Sequence, residues 1–189
     1  MARNKNNIIL NGFSGKIGNQ LVVRTRGDKT FLAAMPRPRA GGADPPSHQL
    51  ELQERFIRAS KYAKAALAKA ELREAYTAAR KGNQTAFNVA WKDAFEGPHL
   101  SDFRSNEYHG KPGQQLSVQA LDNFRVVKVV FNLFTEDGNL IESGEARVAD
   151  NSFQWIYTTL VENGSIKGTR VQVLAEDLPG NQSALEVKL

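Results

Sequence analysis

The chain has 189 residues, 41% of them apolar and 24% charged, which suits one ordinary domain or two small ones with a buried core. It holds no cysteine, so disulfides, zinc-thiolate sites and thiol nucleophiles are excluded, and no apolar run approaches the ~20 residues of a membrane helix. The net charge of +5 divides unevenly: residues 1–98 carry 17 Lys and Arg against 8 Asp and Glu, a net of +9, and residues 99–189 carry 8 against 12, a net of −4.

Arg3 and Lys5 precede Ile8, Ile9 and Leu10 in the manner of a secretory leader, but Asn11 and Gly12 interrupt the apolar stretch at once. The expectation is a protein made in the cytoplasm without a cleaved signal peptide. Its final location, a virion or an extracellular assembly included, stays open. Ile8 to Leu10, Gln20 to Arg24 and Thr30 to Ala34 read as short strands, with Gly27-Asp28 as the turn between the last two. A hairpin or three-stranded meander of this size is too small to stand alone, so the rest of the chain or a partner has to cover it. Within residues 1–39 eight basic side chains face only Asp28, a net of +7. That clustering makes Arg24, Arg26, Arg37 and Arg39 candidate contacts for an anionic partner, either nucleic-acid phosphates or the acidic half of a neighbouring copy. The run MPRPRAGGADPPS follows; its prolines lack donors and fix φ, so it reads as an extended arm. Residues 1–46 are thus a basic β-hairpin with an arm.

Ser47 is a plausible N-cap for a helix running from about His48 toward Arg80. Leu52, Phe56, Ala59, Ala63, Ala66 and Ala70 recur at three- and four-residue steps, giving one apolar face of mostly small residues. A break is expected at Lys69-Ala70-Glu71, and Lys81-Gly82-Asn83 closes the hairpin. Thr85 then caps a shorter helix with Phe87, Ala90, Trp91 and Ala94 as its stripe, stopped by Gly97-Pro98. Residues 47–98 are the helical segment.

Residues 99–113 are polar without period and read as a linker. From Leu116 the period becomes two: Val127, Val129, Phe131 and Leu133 point one way. Glu136 to Asn139 make a turn, LIESGEARV and SFQWIYTTL are strands, and GTRVQVLAED and QSALEVKL flank the turn Leu178 to Asn181. Short strands at about ten-residue spacing indicate an antiparallel sandwich over 114–189, with Trp155 as its central core residue against Val127, Val129 and Phe131. The fold class is α+β: an N-terminal β-hairpin and α-helical hairpin joined to an antiparallel sandwich.

The run SVQALDNFRVVKVVFNLFTEDGNLIESGEA, then Trp155, then VQVLAEDLPGN resembles the bacterial immunoglobulin-like domains, whose later strands often end in A-x-D-x-x-G-N. Ala175, Asp177, Gly180 and Asn181 fit that ending. The resemblance spans roughly 114–189 and implies the sandwich fold; such domains serve as spacers, adhesion modules and decorations of cell-surface and phage particles. The first half, through NGFSGKIGNQLV, DKT and YAKAAL, resembles proteins of the phylum Bacteroidota. That second resemblance implies a recurring design and no chemistry.

Chemical motifs are weak. Gly12, Gly15 and Gly18 are spaced G-x-x-G-x-x-G, which meets neither the dinucleotide fingerprint nor the phosphate loop, and Ser14 lies one residue short of a nucleophile elbow. His99, Asp102, Glu107 and His109 offer metal-type ligands in no known spacing. Asp122, Asp177 and Asn181 could meet at one end of the sandwich and take calcium through oxygen ligands, but turn capping is the preferred reading. Asn83, Asn163 and Asn181 begin glycosylation sequons read as chance. The expectation is therefore no enzyme, no cofactor, no bound metal and no small-molecule substrate. In their place stands a structural subunit that self-associates into a filament, phage particle or surface layer. The alternative is a basic protein that binds nucleic acid without sequence preference.

Overall fold

The chain is an α+β protein, and its computed structural model describes residues 2–3, 13–26, 29–36, 46–150 and 153–189. Residues group into two units, 1–50 with 81–84 and 51–80 with 85–189.

In the first unit β1 (Ala2–Arg3), β2 (Gly15–Ile17), β3 (Leu21–Arg26) and β4 (Lys29–Ala34) form an antiparallel sheet in the order β1-β4-β3-β2. Strands β3 and β4 pair without a slip from Leu21↔Ala34 to Arg26↔Lys29. They are the strands expected at Gln20–Arg24 and Thr30–Ala34; the expected strand Ile8–Leu10 and the turn Gly27-Asp28 lie outside the described residues. Gly18 turns the chain between β2 and β3 at φ +57, where a Cβ would be strained. Of the described residues in this sheet, Val23 and Thr30 are buried, while Phe13 and Ile17 are exposed.

The helices are α1 (Ser47–Ala68), α2 (Ala70–Ala78) and α3 (Ala86–Phe95). Lys69, held extended, separates the first two where a break was expected. Thr85 caps α3, its Oγ1 accepting the Asn88 N–H at 3.2 Å. The alanine stripe of α1 is buried at Ala59, Ala63 and Ala66, but Leu52 and Phe56 stay exposed. No helix among the described residues is long and apolar enough to cross a membrane.

Eight further strands make two four-stranded antiparallel sheets. One has the order β5-β6-β10-β9 and contains β5 (His99–Arg104), β6 (Gln115–Leu121), β10 (Gln154–Thr158) and β9 (Arg147–Val148). The other has the order β12-β11-β7-β8 and contains β12 (Gln182–Lys188), β11 (Arg170–Asp177), β7 (Val126–Phe134) and β8 (Leu140–Glu145). Alternate residues of both sheets meet in one core: Leu116, Val118, Ala120, Trp155 and Tyr157 from the first, Val129, Phe131, Leu133, Val171, Val173 and Ala175 from the second.

Two expectations need correction. The stretch read as a linker supplies β5, which pairs with β6 from His99↔Leu121 to Ser101↔Gln119. Its register breaks between Ser101 and Arg104, with Asp102 at φ 48. That irregularity puts Leu100 in the core and Phe103 against it, three residues apart, so no period of two shows in the sequence. Val127, expected in the core, is 41% exposed. The ladder between β7 and β11 steps from Lys128↔Glu176 to Val126↔Asp177, which leaves Val127 as the extra residue of a bulge and turns Val126 inward. Val129→Ala is therefore expected to cost about 2 kcal/mol, two methyl groups' worth of burial, and Val127→Ala less than about 0.5 kcal/mol. Urea denaturation of both variants checks the contrast; equal costs would contradict the bulge.

Candidate functional site

The helical core of the second unit is closed by the sheets' own loops. Tyr76, Ala90 and Val89 pack with Phe124, from the β6–β7 loop, and Leu178, from the β11–β12 loop. On α3, the spacing that buries Val89 and Ala90 buries Asp93 as well, three and four residues on. Asp93 is 0% exposed.

Three acidic residues meet at this junction: Asp93 from α3, Asp122 from the β6–β7 loop and Asp177 from the end of β11. Each offers a carboxylate oxygen within 4.8 Å of the others'. The Tyr76 hydroxyl donates to Asp93 Oδ2 at 2.5 Å, and the Tyr62 hydroxyl stands 3.0 Å from that of Tyr76. Asp122 Oδ2 accepts the main-chain N–H groups of Phe124 and Arg125 at 3.1 and 3.0 Å. Asp177 Oδ1 accepts the Asn181 N–H at 2.6 Å and its Oδ2 the Asn181 side-chain amide at 2.7 Å. That amide also reaches the Asp93 main-chain carbonyl at 3.2 Å, tying the β11–β12 turn to α3. Two oxygens remain: Asp93 Oδ1 and Asp122 Oδ1 are buried and have no hydrogen-bond partner.

Burial pushes the Asp93 carboxyl up to about 7; the Tyr76 hydrogen bond opposes this, and the Asp122 and Asp177 carboxyls reinforce it. Asp177 is also raised by burial, with Asn181 pulling it back. Burial, then the bond to Asp93, raises the Tyr76 hydroxyl well above its ordinary value. Chemically the arrangement can bind a cation or hold a proton between carboxyls.

Asp122, Asp177 and Asn181 thus come together as the sequence suggested, and Asp122 and Asp177 do cap turns. Asp93 was missed, although an acidic residue on the apolar stripe of α3 marks it. The other candidates stay apart from this cluster. Asp102 is bound by Arg104 at 2.6 Å and Gln119 at 2.9 Å, and His99, Glu107 and His109 are exposed. Two sequon asparagines are engaged: Asn163 donates to Tyr108 and Thr169, and Asn181 to Asp177. Arg24 is exposed on β3, Arg26 ends that strand, and Arg37 and Arg39 lie outside the described residues.

No family model and no curated protein matches the chain. A crystal structure of an engineered protein is similar at 13% identity and a TM-score of 0.33, over 55% of this chain and 26% of that one. The chain spans about a quarter of that protein's length, and so loose a likeness carries no argument.

Proposed function

We propose that the chain is a non-catalytic structural subunit that self-associates through its N-terminal half and carries an immunoglobulin-like domain, as in a filament, a phage particle or a surface layer. The observation that carries this reading is the first unit's sheet: its strands are fully registered, yet among its described residues only Val23 and Thr30 are buried. A sheet with so little core is stable when something covers it. Among the described residues β2 stands at the edge of the sheet, paired with β3, beside exposed Phe13 and Ile17, which suits strand addition by another chain. A second copy has the complementary charge, +9 in residues 1–98 against −4 in 99–189.

The strand order supports the immunoglobulin-like reading. Taken in chain order from β5 as first to β12 as eighth, the sheets run 1-2-6-5 and 8-7-3-4, the arrangement written ABED and GFCC′ for that fold. Trp155 departs from the pattern, standing on the sixth strand where antibody domains place a tryptophan on the third.

Sedimentation velocity of the full chain is expected to show mass rising with concentration, and Phe13→Ser with Ile17→Ser to suppress it without lowering the melting temperature. A monomer at high concentration and low salt would end this reading. Retention of DNA or RNA that collapses with added salt would instead favour the nucleic-acid alternative.

A further inference from the structure

We propose that Asp93, Asp122 and Asp177 bind one divalent cation of the calcium class, which locks α3 to the loops at the end of the two sheets. The inference starts from charge. Three carboxyls converge where Asp93 and Asp177 are 0% and 1% exposed, and none of the ion pairs among the described residues includes them. Lys92, beside Asp93 in sequence, pairs with Glu96 at 3.5 Å, and Arg125, the basic residue nearest Asp122 in sequence, gives Asp122 its main-chain N–H while its guanidinium lies over the Phe124 ring at 5.9 Å. Buried negative charge without a counter-charge is costly, and a cation is one of the few things that offsets it.

The independent observation is the pair of idle oxygens. Asp93 and Asp122 each use Oδ2 as an ordinary acceptor, Asp93 for Tyr76 and Asp122 for two main-chain N–H groups, and each leaves Oδ1 buried without a donor. Both carboxyls lie within hydrogen-bonding range of each other, so the idle oxygens belong to side chains that face one another. Tyr76 accounts for Asp93 Oδ2 and turn capping for Asp122 Oδ2; the facing Oδ1 atoms are left to share a proton in the ion-free protein and to take the cation when it binds.

Size and hardness select the ion. Oxygens bound to one calcium at about 2.3–2.6 Å can stand at most about 4.6–5.2 Å apart, and the three carboxylates offer oxygens within 4.8 Å of one another. Magnesium keeps several of its waters and is usually held by one or two carboxylates, whereas calcium takes about six to eight oxygens in flexible geometry, so three converging carboxyls favour calcium. An all-carboxylate set without imidazole or thiolate does not suit zinc. Tyr76 and Asn181 are the positioning residues: the first fixes Asp93 and the second fixes Asp177.

The test uses the full chain, stripped with a chelator, and terbium as a luminescent calcium analogue that Tyr76 and Tyr62 sensitise. Wild type is expected to saturate at one ion per chain, to release terbium to calcium in preference to magnesium, and to melt at a higher temperature with calcium present. Asp93→Asn and Asp122→Asn, which keep side-chain shape, should abolish sensitised emission and the calcium response while matching or exceeding the melting temperature of the ion-free wild type. Tyr76→Phe is expected to weaken binding by about 10- to 100-fold. Absence of both emission and a calcium-dependent melting shift in wild type overturns the proposal, as does undiminished binding in either Asn variant. Should an Asn variant fail to fold, the wild-type titration and Tyr76→Phe decide the matter alone.

Discussion

Trp155→Ala is expected to lower the unfolding free energy of the second unit by about 3 to 5 kcal/mol, the cost of deleting a large ring from a packed core. Trp155 is 8% exposed on the central strand β10, opposite Val118 on one side and Val148 on the other. No disulfide shares the load, because the chain has no cysteine. A loss of that size threatens a domain whose whole stability is on the order of 5–15 kcal/mol. Its indole Nε1 is buried without a partner, so Trp155→Phe discards an unsatisfied donor while keeping a ring and should recover a large part of the loss. The alternative, an aromatic ligand-binding face made of Phe153, Trp155 and Tyr157, is hard to hold for the last two: only Phe153 is exposed, at 39%. Chemical denaturation of the full chain distinguishes them. An unchanged melting temperature in Trp155→Ala would place the ring in a binding surface after all.

What the sequence revealed depended on how far each feature's cause extends along the chain. The helices were legible because their signals are local: the Thr85 cap, the break at Lys69 and the Gly97-Pro98 stop each act within a few residues. Strands β6, β7, β10 and β11 were legible because both sheets bury alternate residues in one core. Period two failed where the backbone departs from it, at the irregularity in β5 and the bulge at Val127, since one extra residue inverts every assignment before or after it. The acidic cluster was half legible. Asp122 and Asp177 sit in turn signals, but Asp93 is brought to them by tertiary packing of a helix more than eighty residues from Asp177 in sequence. The side chain's place on the helix stripe was readable; its partners were not.

The clearest case of a role invisible in the sequence is Glu142, and Glu142→Ala is expected to cost about 3 to 5 kcal/mol. In LIESGEARV nothing distinguishes it from Glu145, the other acidic residue of the strand, yet it is 6% exposed. Its Oε2 accepts the Tyr157 hydroxyl at 2.9 Å and the main-chain N–H groups of Leu160 and Val161 at 2.8 and 3.3 Å. The carboxylate therefore pins the chain leaving β10 to β8 in the other sheet. Gly144 makes room for this: a Cβ there would stand 2.5 Å from the Tyr157 ring, which stacks on Phe131 at 5.4 Å. Truncating Glu142 strands three donors at once, and each such bond to a charged acceptor contributes about 1.5–3 kcal/mol when intact. Glu142→Gln keeps a carbonyl oxygen at the same reach and should lose about half as much. Because Tyr157 acts through Glu142, Tyr157→Phe should cost about 1–2 kcal/mol in wild type and clearly less in the Glu142→Ala background. Urea titrations of the four proteins in that cycle give the coupling directly. Additive losses, or a Glu142→Ala cost within about 0.5 kcal/mol of zero, would mean that solvent already satisfies these donors and that the two sheets are held at this end by apolar packing alone.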